Sequence, residues 1–129
     1  MNDRDGRSNV QGLGILEGRV CAIPKLGSDQ VPHKVPHIGW SGITPSHGDD
    51  SWHNTPLAST VTDTSFYFVH SFTASPVNDE DRLADADYNG CSISAGIQRD
   101  NVFGFQFHPE KSGKDGITIL HHFINLKRL

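Results

Sequence analysis

The densest alternation of apolar and polar positions lies in "SFYFVHSF", Ser65 to Phe72, and it predicts a strand rich in aromatic and β-branched residues. The alternation sets Phe66, Phe68, His70 and Phe72 on one face, with Tyr67, Val69 and Ser71 on the other. Both faces are apolar enough to predict a strand covered on both sides. "VFGFQF" alternates in the same way, turning Phe103, Phe105 and Phe107 to the core and Gly104, Gln106 and His108 to the opposite side. Between them, "DEDRLADADYNG" and "SISAGIQRDN" predict two strands around a turn at Asn89-Gly90, a strong local hairpin signal. Earlier, "GILEGRVCAI" reads as a short strand pair or strand start around Gly18. Pro24, Pro32 and Pro36 then exclude a helix interior, and "SHGDDSWHNTP" reads as a polar loop.

The period changes only at the end of the chain. Ile117, Leu120, Phe123 and Ile124, with Ile119 nearby, recur at helical spacing. Ser112 and Asp115 have capping-box spacing before them, and Lys127 and Arg128 stand where the helix dipole favours positive charge. Several strands followed by one helix predict a mostly antiparallel sheet with one helix, a single unit over residues 1–129, with 1–11 as an exposed polar lead. Such an arrangement leaves one sheet face without a cover.

Composition narrows the classes. An apolar content of 35% is low for a globular domain, which suggests a loop-rich chain or one that buries surface against something else. A formal charge of −4 offers no basic footprint for nucleic acid. No apolar run approaches the roughly 18 residues of a membrane span. Cys21 and Cys91 form no CxxC pattern, so a reducing cytoplasmic setting is expected. His33 and His37 are four apart, but Pro36 removes the helical face that such a metal pair needs, and His121 and His122 point to different sides of the last helix. Neither a metal nor a cofactor is expected, and His70 reads as a satisfied core or pocket histidine.

The chemistry gathers in "FGFQFHPEKSG". Pro109 restricts His108 to extended backbone, and continued extension would bring Glu110 to the same side. There the carboxylate could accept one ring proton and set the tautomer, as the orienting member of a catalytic triad does. The plain alternative is a strand-end histidine beside a solvated charge.

Four segments in order then resemble one family. "VFGFQFHPEKSG" with "LHHFINL" resembles the C-terminal signature of the class I (triad-type) glutamine amidotransferases. "GLGILEGRV", "VPHIGWSGI" and "FYFVHSF" resemble, within that family, the glutaminase subunit of imidazole glycerol phosphate synthase, of histidine biosynthesis. The resemblance implies the C-terminal portion of that α/β fold, a mixed sheet with antiparallel strands and a C-terminal helix. It implies His108 as general base and Glu110 as its orienter, with Ser71 and Phe72 at the glutamine pocket. It also implies that Trp40, Tyr67 and Lys111 face a cyclase partner of the (β/α)8-barrel type, which receives the ammonia. Ser41 departs from the family's usual asparagine and Phe72 from its usual tyrosine, so a paralogue serving surface-sugar amidation is a second partner reading.

The family's nucleophile is a cysteine on a G-x-C-x-G elbow, and these 129 residues contain no such motif. Cys21 falls inside an expected strand and Cys91 just after the expected hairpin turn, before a strand, so each reads as a small apolar residue or an incidental thiol. The resemblance therefore implies a chain that lacks the N-terminal half with its elbow, and that is inactive in glutamine hydrolysis by itself. A truncated or misassigned start and a non-catalytic remnant that docks to a synthase are the two readings of that absence.

Overall fold

Backbone hydrogen bonding sorts the strands of this computed structural model, which describes residues 12–126, into three antiparallel sheets. Strand β1 (Gly18–Ala22) pairs with β5 (Phe72–Pro76), and β2 (His37–Gly42) pairs with β4 (Ser65–His70). The third sheet runs β3 (Thr44–Pro45), β6 (Arg82–Tyr88), β7 (Cys91–Arg99) and β8 (Val102–Phe105) in that order. Short 3₁₀ turns occupy Asp49–Trp52, Asp79–Asp81 and Pro109–Lys111, and helix α1 spans Gly113–Ile124. The lead at 1–11, and Lys127 and Arg128, lie outside the described residues.

The Asn89-Gly90 signal produces the β6–β7 hairpin, with Tyr88 opposite Cys91. Asn89 and Gly90 have φ of 52° and 85°, the paired positive values of a turn that matches strand twist. A side chain at Gly90 would also drive its Cβ to 1.8 Å from the Ser28 hydroxyl oxygen.

The aromatic strand is shorter and more one-sided than its alternation predicts. Phe66, Phe68 and His70 are buried, but Val69 is exposed and Tyr67 half-exposed, so β4 is covered on one face only. The strand stops at His70 because the chain turns a corner at Ser71 and leaves β2 to pair with β1. That corner breaks the alternation, and Phe72 emerges exposed instead of following Phe66 and Phe68 inward.

The core gathers Phe66, Phe68 and Phe107 with Ile23, Ile43, Leu57, Leu83, Ile93 and Ile119. Phe107 stacks on Phe66 with centroids 4.5 Å apart and meets Phe68 and Phe105 at 5.7 and 5.0 Å. Phe103 and Phe105, expected in the core, only line its margin. The "SHGDDSWHNTP" loop is less polar in practice than in sequence. Trp52 is buried there, and its indole N–H donates to the Leu83 carbonyl at 2.8 Å.

Helix α1 forms where the period predicts, but it presents a different face to the core. Gly116 and Ile119 are buried, whereas Ile117, Leu120, Phe123 and Ile124 are exposed. The close approach is set at Gly116, where a Cβ would lie 1.8 Å from the Pro109 carbonyl oxygen. The capping box does not form either: Ser112 is the N-cap, but its side chain makes no capping bond.

Candidate functional site

Backbone contacts seat His108 before its side chain does anything. Its N–H donates to the Tyr67 carbonyl at 3.1 Å, which fastens the end of the β8 segment to β4. The Ser112 hydroxyl, taken from its expected capping role, closes the other side of the clamp. It accepts from the Tyr67 N–H at 3.1 Å and donates to the His108 carbonyl at 2.7 Å. Ser112 is 3% exposed, so the clamp is shielded from water. Phe107, the residue before His108, is itself anchored in the core.

Ser112→Ala is therefore expected to lower stability by about 1–3 kcal/mol, the cost of leaving a buried backbone group without its partner. Chemical denaturation of the variant checks this. A change below about 0.5 kcal/mol, the range of an ordinary surface substitution, would show that the clamp holds nothing.

The imidazole of His108 meets Glu110 as the spacing suggests, though by a different route. Pro109 starts a 3₁₀ turn instead of continuing the extended chain, and the turn folds Glu110 back. Its Oε1 then lies 2.9 Å from Nδ1 of His108. The hydrogen bond to its own backbone N–H, then that to His108, and more weakly the charge of Lys111, hold the Glu110 carboxyl below the usual carboxylate range. An ionised carboxylate only accepts, so the shared proton sits on Nδ1 and the lone pair of a neutral ring sits on Nε2. That is the tautomer of a general base working through Nε2.

The other predicted residues fall into two groups. Trp40 and Tyr67 are cross-strand partners on β2 and β4, with ring centroids 5.9 Å apart. Trp40 is 58% exposed, which excludes core packing as its reason for being there. Ile38 and Val69, paired two residues further along on the same face, are exposed, so the four side chains form an open apolar ribbon. Lys111 follows Glu110 in the 3₁₀ turn and is exposed. Ser71 and Phe72 form the corner between β4 and β5, adjoining His70.

Neither cysteine reaches His108 through a hydrogen bond among the described residues. Cys21 sits opposite Thr73 on β1, and Cys91 starts β7 with its thiol 3.6 Å from the Leu26 carbonyl. No three histidine, cysteine, aspartate or glutamate side chains group as metal ligands among the described residues. No helix among them is long and apolar enough to cross a membrane.

One feature of the site is invisible in the sequence. His37 and His70 face each other across β2 and β4, with His37 Nδ1 2.9 Å from His70 Nε2. Burial first, then the neighbouring charges of His70 and His33, lower the His37 pKa from 6.5 to about 4. Burial also lowers that of His70, against an opposing hydrogen bond to the Phe72 carbonyl. A lowered histidine pKa means that the unfolded chain binds more protons in this window. Their contribution to stability is therefore complete above pH 6.5 and lost as pH falls towards 4. Denaturation midpoints taken across that range should fall on acidification, and a flat profile would contradict a neutral buried pair.

Comparison with known proteins adds a consistent set. The family Glutamine amidotransferase class-I matches residues 4–126. The chain is 44% identical over 116 residues to imidazole glycerol phosphate synthase subunit HisH 1 of Legionella pneumophila (strain Lens), covering 90% of this chain and 54% of that protein. It is 41% identical over 118 residues to subunit HisH of Geobacillus thermodenitrificans (strain NG80-2), covering 91% and 52%. It thus spans about half the length of these curated relatives. A solved structure of PurLQS from Thermotoga maritima superposes with a TM-score of 0.62 at 20% identity, over 88% of this chain and 54% of that one.

Proposed function

We propose that this chain, which belongs to the class I glutamine amidotransferase family, carries the base and its orienter for a glutaminase that feeds ammonia to a synthase partner. The observation that carries the reading is the 2.9 Å contact of Glu110 with Nδ1 of His108, which leaves Nε2 for a thiol. The partner reading, a role in histidine biosynthesis, is supported by relatives named as subunits of imidazole glycerol phosphate synthase. In that role the chain docks on a (β/α)8-barrel cyclase through Trp40, Tyr67 and Lys111, in the cytoplasm, and takes glutamine at Ser71 and Phe72.

The chemistry follows from the residue roles. Nε2 of His108 accepts the proton of a cysteine thiol, and the sulfur attacks the side-chain amide carbon of glutamine. The carbon–nitrogen bond breaks as the imidazolium returns its proton to the departing amine, so ammonia leaves and a glutamyl thioester remains. Water then attacks the thioester, His108 takes its proton and returns it to the sulfur, and glutamate is released. Glu110 holds the ring in the required tautomer throughout.

The thiol for this sequence of steps comes from residues outside these 129, because the sequence contains no G-x-C-x-G elbow. The test joins the chain to the part of the Legionella pneumophila relative that precedes the matched region. Ammonia release from glutamine is expected from the joined enzyme and not from the 129 residues alone. Release by the chain alone would overturn the assignment of the thiol, and an inactive joined enzyme would overturn the glutaminase reading. The exposed ribbon of Ile38, Trp40, Tyr67 and Val69 supports a second reading, a non-catalytic module that docks to a synthase. Binding of the cyclase without turnover by the joined enzyme would favour it.

A further inference from the structure

Away from His108, two buried imidazoles on β2 and β4 form a hydrogen-bonded chain whose direction can be deduced. A backbone carbonyl only accepts, so Nδ1 of His70, 2.8 Å from the Phe72 carbonyl, carries a proton. In the neutral ring, Nε2 of His70 then holds only a lone pair. Nδ1 of His37, 2.9 Å away, must donate to it. That leaves Nε2 of His37 as an acceptor, and the Ser41 hydroxyl donates to it at 3.0 Å. One carbonyl thereby orders three hydrogen bonds, and both rings adopt the same tautomer.

Packing leaves His37 little freedom to do anything else. It is 2% exposed and stacked between Tyr88 and Phe68, with centroids 4.2 and 5.0 Å away. The far face of Tyr88 carries His33 at 4.6 Å, and the Tyr88 hydroxyl donates to the Lys34 carbonyl. A ring held this firmly fixes the position of the ring it donates to.

The chain ends at the place where the backbone changes sheets. His70 is the last residue of β4, Ser71 makes the corner, and Phe72 opens β5 opposite Ala22. The Ile23 N–H donates to the Ser71 carbonyl at 2.9 Å, holding the corner from the β1 side. The His70 ring holds it from the β2 side by drawing the Phe72 carbonyl inward. The corner is thus fixed by two bonds from two different sheets.

We propose that His70, ordered by His37 and Ser41, is a positioning residue that sets the Ser71–Phe72 corner for glutamine. The proposal rests on the glutaminase reading given above. It gives the chain a linkage from Ser41, beside the exposed Trp40 on β2, to the substrate corner, so the partner-facing ribbon and the glutamine seat share one rigid element.

Two experiments test it. In the joined enzyme, His70→Phe keeps the ring volume and removes both of its hydrogen bonds, and it is expected to raise KM for glutamine about tenfold or more. kcat should change far less, because His108 and its clamp are untouched. His37→Phe leaves the His70–Phe72 bond in place and should raise KM by a smaller factor. An unchanged KM, or a loss confined to kcat, would overturn the positioning role. Separately, nitrogen-15 NMR of the 129-residue chain should find both His37 and His70 protonated on Nδ1, and a proton on Nε2 of His70 would overturn the donor order. A wild-type joined enzyme that releases no ammonia would instead sink the glutaminase reading, and the glutamine role of His70 with it.

Discussion

His108→Ala in the joined enzyme should lower kcat for glutamine hydrolysis by about 10³-fold or more, because members of a nucleophile–base unit act together and not additively. The variant loses the acceptor for the thiol proton and the donor for the leaving amine in one step. Substrate binding should change little, since the Ser71–Phe72 corner proposed to seat glutamine is held by β1 and by His70, not by His108. Glu110→Gln should cost less. The amide can still occupy the place of the carboxylate, but it can present its N–H2 to Nδ1 and stabilise the wrong tautomer. Steady-state kinetics of both variants check this. A His108→Ala enzyme within tenfold of wild type would mean that another group takes the proton.

Phe107→Ala should produce the largest loss of stability, about 3–5 kcal/mol by the usual cost of truncating a buried aromatic ring. Phe107 is 2% exposed and touches Phe66, Phe68 and Phe105, so its removal opens a cavity in the middle of the aromatic cluster. A domain of this size has a net stability of only about 5–15 kcal/mol, so the loss is a large share of the whole. Because the next residue is His108, the cavity also loosens its imidazole from within. Denaturant unfolding gives the first effect. A loss below about 1 kcal/mol would mean that the cluster collapses and refills the space.

What the sequence made legible depended on how local the cause was. The β6–β7 hairpin needed only Asn89-Gly90, and it formed with both positive φ values in place. The His108–Glu110 contact was also readable, because two residues of separation allow it in either an extended chain or a tight turn. The 3₁₀ turn that delivers it was not readable, since it depends on Gly116 admitting the Pro109 carbonyl from the following helix. Ser112 shows the limit most clearly. Its spacing to Asp115 fits a cap, yet the nearby Tyr67 N–H, 45 residues earlier in the chain, takes the hydroxyl instead.

Alternation failed in the same way at Phe72. Period two holds only while the strand continues, and nothing in "VHSFT" marks the change of sheet at Ser71. The pairing of His37 with His70 likewise depends on the β2–β4 register, a tertiary fact across 33 residues. The apolar stripe on α1 misled for another reason. Its spacing is helical, but the small Gly116 governs which face can approach the core, and the larger residues turn outward. Cys21 lies in β1 as its surroundings suggest, whereas Cys91, expected just before a strand, is the first residue of β7.

The most direct test of the central claim, that His108 of this chain activates a thiol supplied from outside its 129 residues, is to find the acyl intermediate. The joined enzyme would be quenched with acid during turnover of glutamine and examined by peptide mass spectrometry. A glutamyl adduct on the elbow cysteine of the joined segment, formed in the wild type and absent in His108→Ala, is the result expected. An adduct on Cys21 or Cys91, or one that forms equally fast without His108, would contradict the account.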